Sequence, residues 1–248
     1  MNNLLEINHL SKSYYTENGE ILAIKDISLK VYECQFISIV GTSGCGKSTL
    51  LNILASLEDK STGEVNFTKK LKIGYMLQED GLLPYLTVFE NATIGLKLLK
   101  IYTEDNKKYV ENLLNTYGLK DFINKYPREL SGGMKQRVAL IRTLAIKPDL
   151  LLLDEPFSAL DYQSRLKVAD DVYQIIKKEN KTVIMITHDI AEAISLSDKI
   201  YVLTKRPATI KKIYDINLTN KTTPINNRKC KEFPIYYDEI WRDLDVSI

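Results

Sequence analysis

Apolar residues follow two different patterns along the chain, and each pattern predicts a different kind of sheet. Apolar and polar residues alternate over 4–8, 21–31 and 63–67, which is typical of strands with one buried face in a mostly antiparallel layer. Other segments are mainly aliphatic, as expected for strands of a parallel sheet that is covered on both faces. These segments lie at 36–40, 71–77, 150–154, 182–187 and 199–204.

Helical patterns account for most of the remaining sequence. Residues from about 85 to 146 are mainly helical, with breaks at Gly118 and Pro127, and later helices are predicted near 160–179 and 189–197. Helices that alternate with strands indicate βαβ units and a parallel sheet. We therefore predict an α/β fold with a mixed, mostly parallel sheet, an antiparallel β layer and a helical lobe inserted between parallel strands.

A glycine-rich loop follows the first aliphatic strand and precedes a helix. Its pattern, G-x-x-x-x-G-K-S/T, gives a loop whose backbone N–H groups wrap a chain of phosphates. Lys47 would reach the β- and γ-phosphates, and Ser48 would offer a hydroxyl to Mg²⁺ at the positive end of the helix. Cys45 is either a reactive thiolate at this helix start or a small side chain packed under the loop. The predicted nucleotide-binding residues are Gly41, Thr42, Ser43, Gly44, Cys45, Gly46, Lys47, Ser48 and Thr49.

Two adjacent acids follow a run of four leucines at the end of a later aliphatic strand. A buried strand end accommodates two carboxylates poorly unless a cation lies beside them. Asp154 is placed to hold the water shell of Mg²⁺ beside Ser48, and Glu155 is placed to polarise an attacking water molecule. His188 follows the next aliphatic run, so it should project from the same edge of the sheet as Glu155. Ligands of open α/β sheets bind at this edge, the carboxyl ends of the strands.

A second helix start suited to an anion lies between these motifs. Residues 130–137 read LSGGMKQR, in which Ser131 is a natural N-cap and two glycines allow a phosphate to approach a helix running to about Ile146. One nucleotide in one subunit needs only the first such site. The segment resembles the signature motif of the ATP-binding subunits of ABC transporters, and the resemblance covers about residues 4–215.

The resemblance assigns roles that the patterns alone leave open. It implies that Tyr14 stacks on adenine, with Tyr15 as a rival, that Gln78 forms the glutamine loop, and that Asp161 belongs to the D-loop. It also implies that ATP and Mg²⁺ are bound and that ATP lies between two copies of the chain. The implied catalytic residues are Lys47, Gln78, Glu155 and His188, the metal ligands are Ser48, Gln78 and Asp154, and the remaining nucleotide contacts are Ser131, Gly132, Gly133 and Asp161.

Two further segments narrow the resemblance. Residues 78–87 and the tail after Lys205 are similar to the nitrate, sulfonate and taurine type of ABC import ATPase. An ATPase domain at 1–216 would precede a polar connector and a tail helix within 217–248. That helix would either dock on the domain or form a separate binding element, and its apolar face would carry Tyr237, Ile240, Trp241 and Leu244. Proteins that this chain resembles usually have a longer hairpin and loop between the positions of Lys47 and Gln78. The shorter spacing here predicts that the antiparallel layer is trimmed near 66–71.

The implied function is ATP hydrolysis that drives uptake of a small solute through a separate membrane permease, with a solute-binding protein as an indirect partner. Nitrate, sulfonates, taurine and heterocyclic vitamin precursors all remain candidate solutes. The subunit would lie at the cytoplasmic face of the cell membrane. Residues 79–100 would receive a short permease helix, above all through Leu82, Leu83, Tyr85, Leu86 and Phe89.

Other ABC proteins are the alternatives. One is the ATPase of an exporter or of a lipid-handling system. Another is a soluble ABC ATPase that acts on ribosomes or chromosomes, but the ribosomal type carries two ATPase units and the chromosomal type inserts long heptad segments before the signature. This chain has one unit and a compact insertion.

Composition limits the partners. The chain has 34 basic and 32 acidic residues and no long basic stripe, so nucleic acid is not expected as a partner. No apolar run approaches the length of a membrane span, and the N-terminus is not expected to be a secretion signal. The three cysteines lack the spacing of a disulfide framework, which indicates reduced cytosolic thiols.

Overall fold

The computed structural model describes residues 2–17, 19–158 and 160–244, which form two sheets with helices packed around them. The strands are β1 (Asn3–Thr16), β2 (Gly19–Tyr32), β3 (Phe36–Val40), β4 (Thr62–Phe67), β5 (Ile73–Met76), β6 (Leu150–Asp154), β7 (Thr182–Thr187), β8 (Lys199–Leu203) and β9 (Ile210–Asp215). The helices are α1 (Lys47–Leu54), α2 (Val88–Leu98), α3 (Glu104–Thr116), α4 (Gly132–Ala145), α5 (Tyr162–Lys178), α6 (Ile190–Leu196), α7 (Pro224–Asn227) and α8 (Phe233–Asp243).

The larger sheet has six strands in the order β5-β6-β7-β3-β8-β9. All neighbours pair in parallel except β9, which runs antiparallel to β8. Its central strands are buried on both faces: in β6, Leu151 and Leu153 pack with the helical lobe, whereas Leu150 and Leu152 pack toward the smaller sheet. This two-sided burial explains why these strands are aliphatic throughout rather than alternating, and the α/β fold class is confirmed.

The smaller sheet is antiparallel, in the order β2-β1-β4. Strands β1 and β2 each span 14 residues and are longer than the alternation at 4–8 and 21–31 predicts. Their pairing shifts register several times, including once between Ile7 and Leu10. A bulge reverses the face that the following residues present, so the alternation breaks although the pairing continues. After β4, residues 68–72 lead directly into β5.

The helical lobe lies between β5 and β6 in the chain. Its first helix, α2, begins with a capping box in which Glu90 N–H donates to Thr87 Oγ1 at 3.2 Å and Thr87 N–H donates to Glu90 Oε2 at 2.8 Å. The predicted breaks occur where expected, because Gly118 takes a left-handed φ of +73° after α3 and Pro127 starts a 3₁₀ turn. Helix α4 packs against α2 and α3 and so joins the lobe to the sheet.

The tail packs on the edge of the molecule that carries α6. Ile240 and Leu244 are buried in one cluster with α6 and strands β8 and β9. The predicted apolar face needs correction, because Trp241 is 38% exposed and stacks on Tyr237 with ring centroids 6.1 Å apart. The connector is also held in place, since the buried amide of Asn227 donates to the carbonyl oxygen of Ser195 at 2.8 Å. Strand β9, which precedes this connector, has no counterpart among the predicted strands.

Among the described residues, no helix is both long enough and apolar enough to cross a membrane.

Candidate nucleotide-binding and catalytic site

Four neighbouring parallel strands end at the same edge of the larger sheet, and each is followed by a candidate site residue. In sheet order, β5 leads to Gln78, β6 ends at Asp154 and Glu155, β7 leads to His188, and β3 leads into the glycine-rich loop. These residues are far apart in the sequence. They meet because the carboxyl ends of parallel strands form one crevice.

The three candidate side chains from β5, β6 and β7 meet at one carboxylate oxygen. Glu155 Oε2 accepts from Gln78 Nε2 at 3.4 Å and lies 3.0 Å from His188 Nδ1. The Glu155 backbone has a φ of +45°, a left-handed conformation that non-glycine residues seldom adopt. Its N–H donates to the carbonyl oxygen of Ile186 on β7 at 2.9 Å, which fixes this unusual turn. Such strain is common where a side chain must be aimed at a functional site.

The glycine-rich loop is closely packed, and its glycines are needed for that packing. Gly46 has a φ of +123° and lies directly before α1, and a Cβ there would approach the carbonyl oxygen of Ala23 to 3.0 Å. A Cβ on Gly41 would lie 2.9 Å from Cys45 Sγ. Lys47 is buried, and its ammonium donates to the carbonyl oxygens of Gly41 and Thr42 at 2.9 and 3.1 Å. The start of α1 therefore points its N–H groups and a cation at the same space.

Cys45 resolves one of the alternatives that the sequence left open. Its side chain is 1% exposed and packs in the core below the loop, close to Gly41. This arrangement matches a small packed side chain and does not favour a reactive thiolate.

A cleft of about 330 Å³ joins the loop to the candidate catalytic residues Gln78 and Glu155. Its lining contains loop and helix residues on one side and residues from the neighbouring strand ends on the other: Ser43, Gly44, Gly46, Lys47, Ser48, Thr49, Gln78, Glu155 and Arg206. The size and the amide-rich wall suit the phosphates of a nucleotide.

Asp154 and Ser48 are the oxygen donors of the candidate Mg²⁺ site. Burial raises the pKa of Asp154, while a hydrogen bond with Ser48 and the nearby Lys47 ammonium act in the opposite direction. A hydroxyl and a carboxylate are hard oxygen donors of the kind that Mg²⁺ binds together with phosphate oxygens and water. The amide nitrogen of Gln78 is directed at Glu155, so its amide oxygen is the atom that would bind a metal. The donor set of Asp154 and Ser48 therefore fits the metal.

The two rival tyrosines have different surroundings. The hydroxyl of Tyr14 lies 3.1 Å from Thr49 Oγ1 on α1, so its ring is next to the glycine-rich loop. Tyr15 points away from this contact and is 82% exposed. Of the two, Tyr14 is the one that the structure places beside the cleft.

The remaining predicted nucleotide contacts form a second, separate cleft of about 370 Å³. Ser131 caps α4 by accepting from Met134 N–H at 3.3 Å, and Asp161 caps α5 by accepting from Ser164 N–H at 3.0 Å. Hydrogen bonds from Ser164, first from its side chain and then from its backbone N–H, lower the pKa of Asp161. Gly132 and Gly133 line the same cleft, where a Cβ on Gly133 would lie 3.0 Å from Val168. Within the described chain, no residue lines both this cleft and the one at the glycine-rich loop.

Two arginines that hold segments beside these sites were not predicted from the sequence. Arg206 lines the first cleft and donates from Nη2 to the carbonyl oxygen of Gly44 at 2.7 Å. Arg142, near the end of α4, donates to the carbonyl oxygens of Asp80 and Gly81, each at 2.7 Å. A signal for Arg206 was present, because it follows the predicted strand at 199–204 and therefore belongs to the same sheet edge.

Comparisons with known proteins agree with this geometry. The ABC transporter family profile matches residues 24–158. The uncharacterized ABC transporter ATP-binding protein YtlC of Bacillus subtilis (strain 168) is 42% identical over 97% of this chain and 95% of its own length. The nitrate import ATP-binding protein NrtD of Synechocystis sp. is 38% identical over 95% of this chain and 93% of its own.

A solved structure provides the corresponding comparison of folds. The dimeric, post-hydrolysis state of the ATP-binding cassette MJ0796, bound to ADP and Pi, is 31% identical, with a TM-score of 0.74. The match covers 86% of this chain and 99% of the cassette.

The strand order and the crevice at its carboxyl edge define the class of P-loop nucleotide hydrolases. Within that class, the family profile and the relatives show that this chain belongs to the ATP-binding subunits of ABC transporters. It is accordingly an ABC-type ATPase.

Proposed function

We propose that this chain is the ATP-hydrolysing subunit of an importer, and that it drives uptake of a small solute through a separate permease. The hydrolytic part of the proposal rests on one observation, the convergence of Gln78 and His188 on Glu155 beside the glycine-rich loop. The import part rests on the similarity to NrtD over nearly the whole chain. The proposed solute is a nitrate-like or sulfonate-like anion, taurine, or a vitamin precursor.

The lining of the cleft supports the proposed binding roles. The loop amides from Gly41 to Gly46, together with Lys47 and Thr49, would hold the phosphates of ATP, and the Tyr14 ring would stack on adenine. Ser48 and Asp154 would hold Mg²⁺, with Gln78 completing the site. The metal would supply positive charge to the phosphate oxygens during transfer to water.

Glu155 would orient and polarise the attacking water molecule. Its carboxylate is held in place on two sides, by the amide of Gln78 and by the ring of His188. His188 is half exposed and would also contact the γ-phosphate. Because the same ring lies beside the Glu155 carboxylate, the position of that carboxylate would depend on what occupies the cleft. Positioning of this kind is the main contribution that a protein makes to phosphoryl transfer.

The second cleft supports a shared nucleotide site. A helix start capped by Ser131, with Gly132 and Gly133 at its first turn, is suited to an anion. The glycine-rich loop of the same chain lies in a different cleft, so one chain does not bring the two together. In the proposed two-fold dimer, each ATP is bound by the loop of one copy and by Ser131 and Gly133 of the other.

Residues 79–100 supply the proposed permease surface. Tyr85 is 70% exposed, Leu83, Leu86 and Phe89 are partly exposed, and Leu82 is buried, so Leu82 supports the surface from below. A cleft of about 690 Å³ adjoins this surface and is lined by residues 78–82 together with Gly132, Gln136, Ser158 and Leu160. A short permease helix seated here would contact residues adjacent to Gln78. The subunit would thus lie at the cytoplasmic face of the membrane.

The proposed surface is tested by Tyr85→Asp, with Tyr102→Asp as the control at another exposed tyrosine of the lobe. A buried charge in an interface is costly, so Tyr85→Asp should reduce co-purification of the permease by about tenfold or more and leave ADP binding unchanged. Tyr102→Asp should change neither. Undiminished assembly of the Tyr85→Asp protein would rule out this surface.

The direction of transport separates importer from exporter. Membrane vesicles that contain the permease and this subunit, with ATP on the side of the subunit, should move solute toward the ATP. Movement away from the ATP would identify an exporter, and co-purification with ribosomes in place of membranes would identify a soluble ABC ATPase.

A further inference from the structure

The turn between β8 and β9 forms one wall of the nucleotide cleft. Arg206 in this turn donates from Nη2 to the carbonyl oxygen of Gly44 at 2.7 Å, within the glycine-rich loop. It also lines the same cleft as Lys47, Ser48 and Thr49. Its positive charge is close enough to Tyr14 to lower the pKa of that phenol, against the larger effect of burial, which raises it.

Hydrogen bonds anchor the backbone of the turn that carries Arg206. Thr204 Oγ1 accepts from Thr209 N–H at 2.9 Å and donates to the carbonyl oxygen of Pro207 at 3.1 Å. Ala208 is buried and exchanges two backbone hydrogen bonds with β2, each of 2.9 Å, through Ala23 and Lys25. The turn is therefore bound to the smaller sheet as well as to the glycine-rich loop.

The charges in the cleft give this arginine a role. Among the described residues that line the cleft, Lys47 and Arg206 are the cations and Glu155 is the anion. Lys47 is buried and directs its ammonium at the carbonyl oxygens of Gly41 and Thr42. Arg206 is exposed at the cleft wall, and its bond to Gly44 uses one nitrogen of a guanidinium that carries five N–H donors. A guanidinium is well suited to bind phosphate oxygens.

We propose that Arg206 is a second cationic ligand of the nucleotide phosphates, supplied by the β8–β9 turn. This role rests on the proposed nucleotide site at the glycine-rich loop and adds a residue to it. Its contact would be direct, because the guanidinium lines the cleft itself. The bond to Gly44 holds the guanidinium at the cleft wall.

ADP binding measured by calorimetry tests the proposal without interference from hydrolysis. Arg206→Gln should weaken binding by about tenfold at low salt, whereas Arg206→Lys, which keeps the charge, should weaken it less. Lys205→Gln is the control, because it removes the neighbouring positive charge of the same turn. Lys205 is not among the described residues that line the cleft, so the Lys205→Gln protein should bind ADP as the wild type does. Because a charge contact is screened by salt, the affinity of Arg206→Gln should also depend less on ionic strength.

The outcomes distinguish this proposal from the one on which it rests. Wild-type affinity in Arg206→Gln, combined with loss of binding in Lys47→Ala, would overturn the role of Arg206 and leave the nucleotide site intact. Weaker binding with an unchanged salt dependence would also overturn it, since Arg206 would then act only by holding Gly44. Wild-type affinity in Lys47→Ala would instead reject the nucleotide site itself.

Discussion

At the residue scale, the central feature is a single carboxylate that receives side chains from two neighbouring strands. Glu155 sits in a left-handed conformation directly after a buried strand, and its Oε2 lies within hydrogen-bonding distance of Gln78 and His188. This convergence makes Glu155 the best candidate for the group that polarises water. Gln78 and His188 are then placed to position it.

Glu155→Gln tests that assignment. The amide keeps the size of the side chain and its hydrogen bonds but loses the negative charge. Nucleotide binding should survive, while turnover should fall by about 10²–10⁴, the usual contribution of general-base assistance. Lys47→Ala should differ by losing binding. Equilibrium binding and steady-state hydrolysis measure the two effects, and near wild-type turnover in Glu155→Gln would remove Glu155 from the mechanism.

Much of this site could be predicted from the sequence, because its residues directly follow aliphatic runs or lie in short motifs. Asp154, Glu155 and His188 were placed in this way, since strand ends fix where they lie. The contacts of Arg206 and Arg142 were not predicted, although Arg206 follows a predicted strand, because each arginine acts through a long side chain that contacts a backbone carbonyl. The direction of such a side chain depends on tertiary packing and leaves no periodic pattern.

Glu192, on α6, is a buried acid four residues after His188. Burial, followed by the negative charge of Asp189, raises its pKa to about 7, although Thr187 Oγ1 donates to its Oε2 at 2.8 Å and the Arg165 guanidinium favours its ionised form. A carboxyl with a raised pKa binds its proton more tightly in the folded state. The protonated carboxyl of Glu192 therefore contributes its full stabilisation at pH values below its ordinary pKa. This stabilisation is lost as the pH rises through about 7.

Glu192→Gln removes this titration and keeps an oxygen that can accept from Thr187. Between about pH 5 and 8, the free energy of unfolding of the wild type should fall relative to that of the variant, by up to about 3 kcal/mol. Urea unfolding of both proteins at each pH measures the difference. If the two proteins show parallel pH profiles, the raised pKa is wrong.

At the scale of elements, the aliphatic strands were predictable and the bulged strands were only partly so. Strands β6 and β7 need apolar residues on both faces, which gives a clear sequence pattern. In β1, the bulge between Ile7 and Leu10 interrupts the alternation of apolar and polar residues, so the sequence pattern does not predict the second half of the strand. Strand β9 pairs at the edge of the sheet and has mostly exposed residues, so its sequence lacks an apolar run.

Helix α4 connects the second cleft with the segment that follows Gln78. Ser131 caps its start in the second cleft, and Arg142 near its end holds the backbone of Asp80 and Gly81, just after Gln78. Through these two contacts, α4 provides a physical link between the proposed permease surface and the proposed second nucleotide contact.

The tail helix gives a prediction at this scale, because α8 has one buried side chain next to an exposed one. Ile240 is fully buried against the α6 side of the molecule, whereas Trp241 is more than one-third exposed. Ile240→Ala should lower the free energy of unfolding by about 2–5 kcal/mol, as for other buried aliphatic truncations. Trp241→Ala should cost less, despite removing a larger side chain. Equal losses in thermal or urea unfolding would contradict the docking of α8 through Ile240.

At the scale of the whole molecule, the two clefts are the main result. One contains the glycine-rich loop together with Lys47, Arg206 and Glu155, and the other contains the helix start capped by Ser131 and none of the residues of that loop. Two copies related by a two-fold axis would place the second cleft of each opposite the loop of the other. The sequence predicted both motifs, and the structure adds their separation within one chain.

Mixing two inactive variants tests this shared site most directly. Lys47→Ala removes the loop cation, and Ser131→Arg blocks the second cleft, so each protein alone should have almost no ATPase activity. A mixed dimer has one site in which both halves are intact. Equal mixtures should therefore recover about a quarter of the wild-type activity, since about half of the dimers are mixed and each has one working site. A mixture that stays inactive, while both variants remain folded and form mixed dimers, would contradict the shared site.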